Sequence, residues 1–223
     1  MKNLLLGGLV LALPLVASEP RTISIGRLQY GGGGDWYANP SSIPNLLSAI
    51  GIHTAVAVAD RETVVSLTGP ELWETPYLHM TGHGNVSFSN EEIVMLRRFV
   101  RNGGFLHADD NYGMDTSFRR EMVRVFPDDP LVTVPLDHPV YNIVFEFEDG
   151  LPKIHEHDGE PAEGLGIFVG GRLAVFYSYQ SDLGDGWEDA NVHGDPADLR
   201  DAALRMGVNL FVYALTALND RKR

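Results

Sequence analysis

The stretch that most constrains the fold of this chain runs from Gly103 to Tyr112 (GGFLHADDNY). A pair of glycines is typical of a helix end, and the short apolar run after it predicts a buried strand. Two carboxylic acids, Asp109 and Asp110, follow at the far end of that strand. Ligands bind at the carboxyl ends of the strands in open α/β sheets, so this segment predicts where a functional site lies.

Predicted strands and helices alternate along the first half of the chain. Residue patterns predict strands at 21–30, 53–59, 77–80 and 103–112, and helices between Ser41 or Ser42 and Gly51, between Ser89 and Gly103, and over 116–126. Later patterns predict a strand at 143–147, a β-hairpin joining 167–169 to 173–177, and a closing helix at 199–218. We therefore predict a three-layer α/β/α sandwich, with a mostly parallel, doubly wound sheet and an added β-hairpin in its C-terminal half.

The first 18 residues have the shape of a secretory signal. A short basic start precedes an apolar run, and small residues then precede Glu19. We expect one domain over residues 20–223 in the periplasm or outside the cell, with no membrane span after signal cleavage. The alternative is an uncleaved N-terminal anchor.

Charge and cysteine content exclude several classes of function. The formal net charge is -13, which repels the phosphates of nucleic acids and anionic lipids, so we expect no nucleic-acid partner. The chain has no cysteine, which excludes disulfides, thiolate metal sites and a cysteine nucleophile.

Three loops at predicted strand ends carry the candidate site residues. The catalytic candidates are His83 and Asp110, and the candidate ligand-binding residues are Asp35, Trp36, Tyr37, Gly82, Asp109, Asn111, Tyr112 and His138. His138 belongs to the following region, and we expect it to fold over the crevice. Because the strands are predicted to be parallel, their loops should meet at one edge of the sheet.

Each candidate has a structural interpretation as well as a functional one. The two aspartates are either functional carboxylates or caps of the next helix. His83 lies between two glycines and is either a functional imidazole or a turn residue bonded to a nearby carbonyl. His79 and His107 are more typical of core residues, and the aromatic residues Trp36, Tyr37 and Trp187 either line a pocket or pack in the core.

The sequence assigns no metal ligands and identifies no cofactor. His83, His138 and either of the paired aspartates have the right types for a divalent metal, but their spacing matches no strong zinc motif. The segment His155-Glu156-His157-Asp158 could bind metal weakly, although it is more typical of a solvated acidic loop.

Five segments together resemble a bacterial family of unknown function, the domain-of-unknown-function family 4159. They are Leu28–Tyr30, Gly32–Tyr37, Thr81–Gly84, Gly103–Leu106 with Asp109 and Asp110, and His138–Tyr141. The resemblance implies a glutamine amidotransferase-like, flavodoxin-like fold. Amidotransferases of that fold place a cysteine at a sharp elbow after a central strand, whereas this chain has Asp109 and Asp110 near that position, so glutaminase chemistry is not expected.

The function predicted from the sequence is binding of a small-molecule or carbohydrate-like ligand in a polar crevice. One alternative is a metal-assisted hydrolase that uses His83, Asp109, Asp110 and His138. Another is a structural or interaction protein with a partner in the cell envelope.

Overall fold

A seven-stranded sheet forms the centre of the molecule, in the order β2-β1-β3-β4-β7-β6-β5. The structure is a computed structural model and describes residues 22–110 and 112–219. Within these residues the strands are β1 (Gly26–Gln29), β2 (Thr63–Ser66), β3 (Tyr77–Gly82), β4 (Phe105–Asp110), β5 (Val132–Thr133), β6 (Glu163–Val169) and β7 (Arg172–Tyr179). The helices are α1 (Ser42–His53), α2 (Asn90–Arg101), α3 (Asp115–Val125), α4 (Leu183–Trp187), α5 (Ala190–His193) and α6 (Ala197–Asn219), with 3-10 turns at Pro70–Trp73 and Pro139–Tyr141.

Each face of the sheet is covered by helices. On one face, α2 and α3 bury residues such as Leu96 and Phe118. On the other, α1 and α6 bury residues such as Leu46 and Phe211. Five strands run parallel, from β2 through β7, and β6 is antiparallel to both β7 and β5. The predicted three-layer α/β/α sandwich is thus confirmed.

The predicted hairpin is also confirmed, as β6 and β7, and it contributes to the middle of the sheet. β7 pairs in parallel with β4, from Leu106 opposite Val175 to Asp109 opposite Ser178. The carboxyl end of β7 therefore lies beside the two aspartates that end β4. This arrangement brings the loop after β7 into the site region.

The predicted strand at 53–59 is wrong. α1 continues through His53, and the segment after it makes only one isolated bridge, between Val58 and Ile23. The second strand is instead Thr63–Ser66, which pairs with β1 and fully buries Val65. Burial against the sheet, rather than the longer alternating pattern, decides which segment becomes the strand.

The predicted strand at 143–147 is wrong as well. The backbone N–H groups of Val144 and Phe145 donate to Oδ1 of Asn209, at 3.2 and 2.9 Å. The amide of Asn209 donates in turn to the Phe145 carbonyl at 2.7 Å. A side chain on α6 thus satisfies backbone groups that a neighbouring strand would otherwise pair.

Two of the predictions from the sequence fall on residues that the structure does not describe. The signal sequence predicted for residues 1–18 lies outside the described residues, as does Asn111. Across residues 22–110 and 112–219, no helix combines the length and apolar character needed to cross a bilayer.

Candidate functional site

The glycine-rich loop after β1 packs directly against the loop after β3. The amide of Gly34 donates to the Asn85 carbonyl at 3.0 Å, and the amide of Asp35 donates to the His83 carbonyl at 3.3 Å. A Cβ on Gly32 would lie 2.7 Å from the Asn85 carbonyl oxygen, so a side chain there would break this contact. The glycines therefore allow these two loops to approach each other closely.

Asp35 and His83 form a pair at this loop junction. The His83 amide donates to one carboxylate oxygen, and its ring Nδ1 lies 3.0 Å from the other. Partial burial raises the pKa of Asp35, but these hydrogen bonds outweigh it and leave the pKa below its ordinary value. With Nδ1 facing the carboxylate, Nε2 is the ring nitrogen that has no hydrogen bond to any described residue, and the side chain is 57% exposed. This arrangement orients an imidazole to accept a proton.

Gly82 allows the chain to turn between β3 and His83. Its φ of 138° is in the region that favours glycine, and a Cβ would lie 2.4 Å from the Tyr30 hydroxyl oxygen. That hydroxyl donates to the Thr81 carbonyl at 3.1 Å. The contacts of Gly82 thus position His83 rather than expose a ligand surface.

Asp109 holds the start of α4. Its carboxylate accepts hydrogen bonds from the amides of Leu183, at 3.1 Å, and Gly184, at 2.6 Å, and from the Ser178 hydroxyl. Full burial raises the pKa of Asp109 to about 8, and the hydrogen bonds from Ser178 and Gly184 oppose this rise only in part. Asp109 therefore caps a helix, but the helix is α4, which follows β7, and not the next helix in the chain as the sequence suggested.

A buried row of polar side chains leads from β3 to Asp109. The Ser178 hydroxyl donates to Asp109, so it accepts from Nε2 of His107 at 2.9 Å. Nδ1 of His107 then accepts from Nδ1 of His79 at 3.2 Å. Burial lowers the pKa of His107 to about 3 and that of His79 well below its ordinary value, so both rings are neutral. This is the core role that the sequence favoured.

Asp110 points to the opposite face of the sheet. It accepts from the Met114 amide at 2.9 Å, just ahead of α3, and from the Tyr177 hydroxyl at 3.0 Å. Burial raises its pKa, and these two hydrogen bonds oppose the rise. Unlike Asp109, this carboxylate also lines an open cleft.

That cleft lies between the loops that follow β4 and β7. It has a volume of about 260 Å³ and is lined by Asp110, Tyr112, Gly113, Asp115, Thr116, Asp158, Tyr179 and Gln180. The Tyr112 hydroxyl donates to one oxygen of Asp158 at 2.7 Å, and the Gln180 amide donates to the other at 3.1 Å. A larger cavity of about 390 Å³ lies beside Trp73 and Gly104, at the amino ends of the strands, away from the candidate residues.

The remaining aromatic candidates lie outside the cleft. Trp36 packs partly buried against the core and meets Tyr37 edge-on, and Tyr37 is exposed. Trp187 is fully buried, and its Nε1 donates to the Ala203 carbonyl at 2.8 Å. Among these rings, Trp187 is a core residue.

The expectation that His138 folds over the crevice is wrong. Its ring packs against Tyr213 and Phe168, and its Nδ1 accepts from the Val140 amide at 3.2 Å. Phe168 pairs with Leu173 at the start of β7, which is the amino edge of the parallel strands. His138 therefore lies at the opposite edge from His83 and the paired aspartates.

One group of ionisable side chains at the carboxyl edge was not among the site residues predicted from the sequence. His155 and His157 lie beside Asp182, which follows β7, although the sequence favoured a solvated loop for this segment. Burial and the nearby Asp185 raise the pKa of Asp182 to about 7. The H-x-H spacing was the available signal, but its partners come from a segment about 25 residues later in the chain.

Comparison with known proteins places the chain in a family without assigning a reaction. No curated protein matches the sequence. A family profile described as Domain of unknown function (DUF4159) matches residues 24–215. Because that match covers most of the chain, this protein belongs to the DUF4159 family.

Proposed function

We propose that this protein is an exported domain that binds a small, hydroxyl-rich, carbohydrate-like ligand in the cleft beside Gln180. The observation that carries the proposal is Oε1 of Gln180, a buried acceptor with no hydrogen-bond partner among the described residues. Leaving such an acceptor unsatisfied costs about 1–3 kcal/mol. A ligand hydroxyl would supply the missing donor once a small movement of the side chain exposes this oxygen to the cleft.

The walls of the cleft support the same ligand class. The carboxylate of Asp158 accepts from the Gln180 amide nitrogen, which leaves the amide oxygen as the free group. Asp110 and Asp115 offer further acceptors, and the aromatic side chains of Tyr112 and Tyr179 line the same cleft. The C–H faces of a sugar pack on such rings while its hydroxyls donate to carboxylates.

The size of the cleft favours a small ligand. Its volume of about 260 Å³ is below the roughly 300–1,000 Å³ of sites for drug-sized molecules. Export depends on the signal sequence predicted for residues 1–18, which N-terminal sequencing of the mature protein checks.

The geometry supports the metal-assisted hydrolase predicted from the sequence less well than it supports ligand binding. Of its four residues, Asp109 caps α4, and His138 lies at the other edge of the sheet. His83 pairs with Asp35 and shares no contact with Asp110 in the described part of the chain. A role in the cell envelope without a ligand is the competing proposal.

Saturation-transfer NMR with a panel of monosaccharides, disaccharides and sugar alcohols tests ligand binding. We expect at least one member to bind the wild type, and Gln180→Leu to abolish the signal while the melting temperature stays within a few degrees. The exposed Gln29→Leu is the matched control and should bind like the wild type. A panel without binders, or binding that survives in Gln180→Leu, would refute the proposal.

A further inference from the structure

Three histidines and three aspartates meet beside the cleft, at the carboxyl edge of the sheet. They come from the loop before β6, the turn after β7, α4 and α5, and the segment before α6: His155, His157, Asp182, Asp185, His193 and Asp195. The proposed ligand cleft borders this group, because the ring of Tyr112 stacks on that of His157 with centroids 4.6 Å apart.

We propose that His155, His157 and Asp182 form a binding site for a divalent transition metal of the zinc class. One ligand atom from each residue lies within 4.8 Å of the other two. Nδ1 of His155 is 3.7 Å from Oδ2 of Asp182, and Nε2 of His157 contacts the same oxygen. Ligand atoms around tetrahedral zinc, at bonds of about 2.0–2.2 Å, are about 3.3–3.6 Å apart. Small side-chain movements would therefore complete the site.

The buried carboxylate is an independent reason to expect a cation. Asp182 is fully buried, and its Oδ1 has no hydrogen-bond partner within residues 22–110 and 112–219. A second carboxylate, Asp185, approaches from the same side, with Oδ2 2.9 Å from Nδ1 of His155. Two carboxylates converging on a buried position are costly unless a positive charge lies between them.

The contacts of His155 fix which of its nitrogens faces the site. Its Nε2 lies 3.1 Å from Oδ1 of Asp195, as in the carboxylate–histidine–metal arrangement that orients metal ligands. When Nε2 donates its hydrogen to Asp195, the Nδ1 lone pair points toward Asp182 and Asp185. The Nδ1 lone pair and the two carboxylates are all electron-pair donors that face one another, and a metal ion between them would bind all three.

The donor types select the metal class. Two imidazoles and one carboxylate suit zinc and its neighbours, whereas calcium and magnesium prefer sets of oxygen ligands. Three protein ligands would leave a coordination position for water or for a group of a ligand in the adjoining cleft.

A second group, formed by His155, Asp185 and His193, is less suited to the metal. It would use the same Nδ1 of His155, so the two sites cannot be filled together. One oxygen of Asp185 already accepts from the Asn39 amide at 2.6 Å, and His193 is 3.9 Å from that oxygen.

Isothermal titration of the chelator-treated protein with Zn²⁺ tests the site, with Co²⁺ absorption as a second readout. We expect one equivalent to bind and to raise the melting temperature. His157→Gln should lose this binding, Asp182→Asn should weaken it strongly, and Asp195→Asn should weaken it about 10–100-fold.

The exposed His53→Gln should bind like the wild type. Circular dichroism confirms that each variant is folded, and His157→Gln keeps the test valid if Asp182→Asn does not fold.

Two results would overturn the proposal. One is that the wild type takes up no zinc at one equivalent, and the other is that His157→Gln binds zinc as tightly as the wild type. If binding were also lost in His193→Gln in the second case, the metal would belong to the group of His155, Asp185 and His193. Sugar binding is measured separately, with the Gln180→Leu variant. A negative result for zinc therefore does not refute the proposed ligand cleft.

Discussion

Asp109 and Asp110 are adjacent in the chain but serve opposite faces of the sheet. Asp109 is enclosed by three donors and has little capacity left for a ligand. Asp110 accepts from one amide and one hydroxyl and still faces the cleft. The sequence could place both at a strand end, but only the positions of α3 and α4 show that Asp110 is the candidate for function.

At the same scale, buried His107 is expected to make the protein sensitive to acid. Its pKa is about 3 in the folded state and about 6.5 in an unfolded chain. As the pH falls, the unfolded state takes up the proton first. The stability that neutral His107 contributes to the folded state is therefore complete above about pH 6.5 and is lost progressively down to about pH 3. Between about pH 6.5 and 4.5 the loss from this one group is about 2–3 kcal/mol.

Urea unfolding at neutral and mildly acidic pH measures this effect. His107→Gln should be less stable than the wild type at neutral pH, because it disturbs the bonds to Ser178 and His79. Its stability should nevertheless change less between the two pH values. His53→Gln, at an exposed position, should keep the pH dependence of the wild type. An unchanged pH dependence in His107→Gln would contradict the assignment.

At the scale of elements, α4 depends on a single carboxylate. This helix has only five residues, and the amides of Leu183 and Gly184 at its start donate to Asp109. Asp109→Asn would turn an amide group toward these buried donors. We expect a loss of about 2–4 kcal/mol in the free energy of unfolding, measured by urea titration.

The exposed Asp60→Asn is the control for Asp109→Asn and should unfold like the wild type. If Asp109→Asn kept wild-type stability and lost ligand binding instead, Asp109 would be a functional residue rather than a helix cap.

Elements with a strong local pattern were predictable from the sequence, and those set by distant partners were not. α2 has a capping box between Ser89 and Glu92, and both its start and its end agree with the prediction. The segment at 143–147 instead bonds to Asn209, more than 60 residues away. The site follows the same rule, because the partners of Gln180 and His157 come from other loops, and no local pattern reveals them.

At the scale of the whole molecule, the C-terminal half completes the sheet begun by the N-terminal half. β7 is the parallel neighbour of β4, and α6 packs against α1 and α4. Without β7, one side of β4 would lose its backbone partners, and without α6 an apolar face of the sheet would be exposed. The two halves are therefore expected to fold only together.

The expectation of one domain over residues 20–223 leads to a prediction about unfolding. In urea with chelator present, tryptophan fluorescence and far-ultraviolet circular dichroism should give one coincident transition. Trp36 and Trp73 report on the N-terminal half and Trp187 on the C-terminal half, so a domain boundary would give the fluorescence two transitions. A chain ending at Asp149 lacks β6, β7 and α6 and should show no cooperative transition. Two separate transitions in the full chain, or cooperative melting of the shortened one, would show that the halves fold independently.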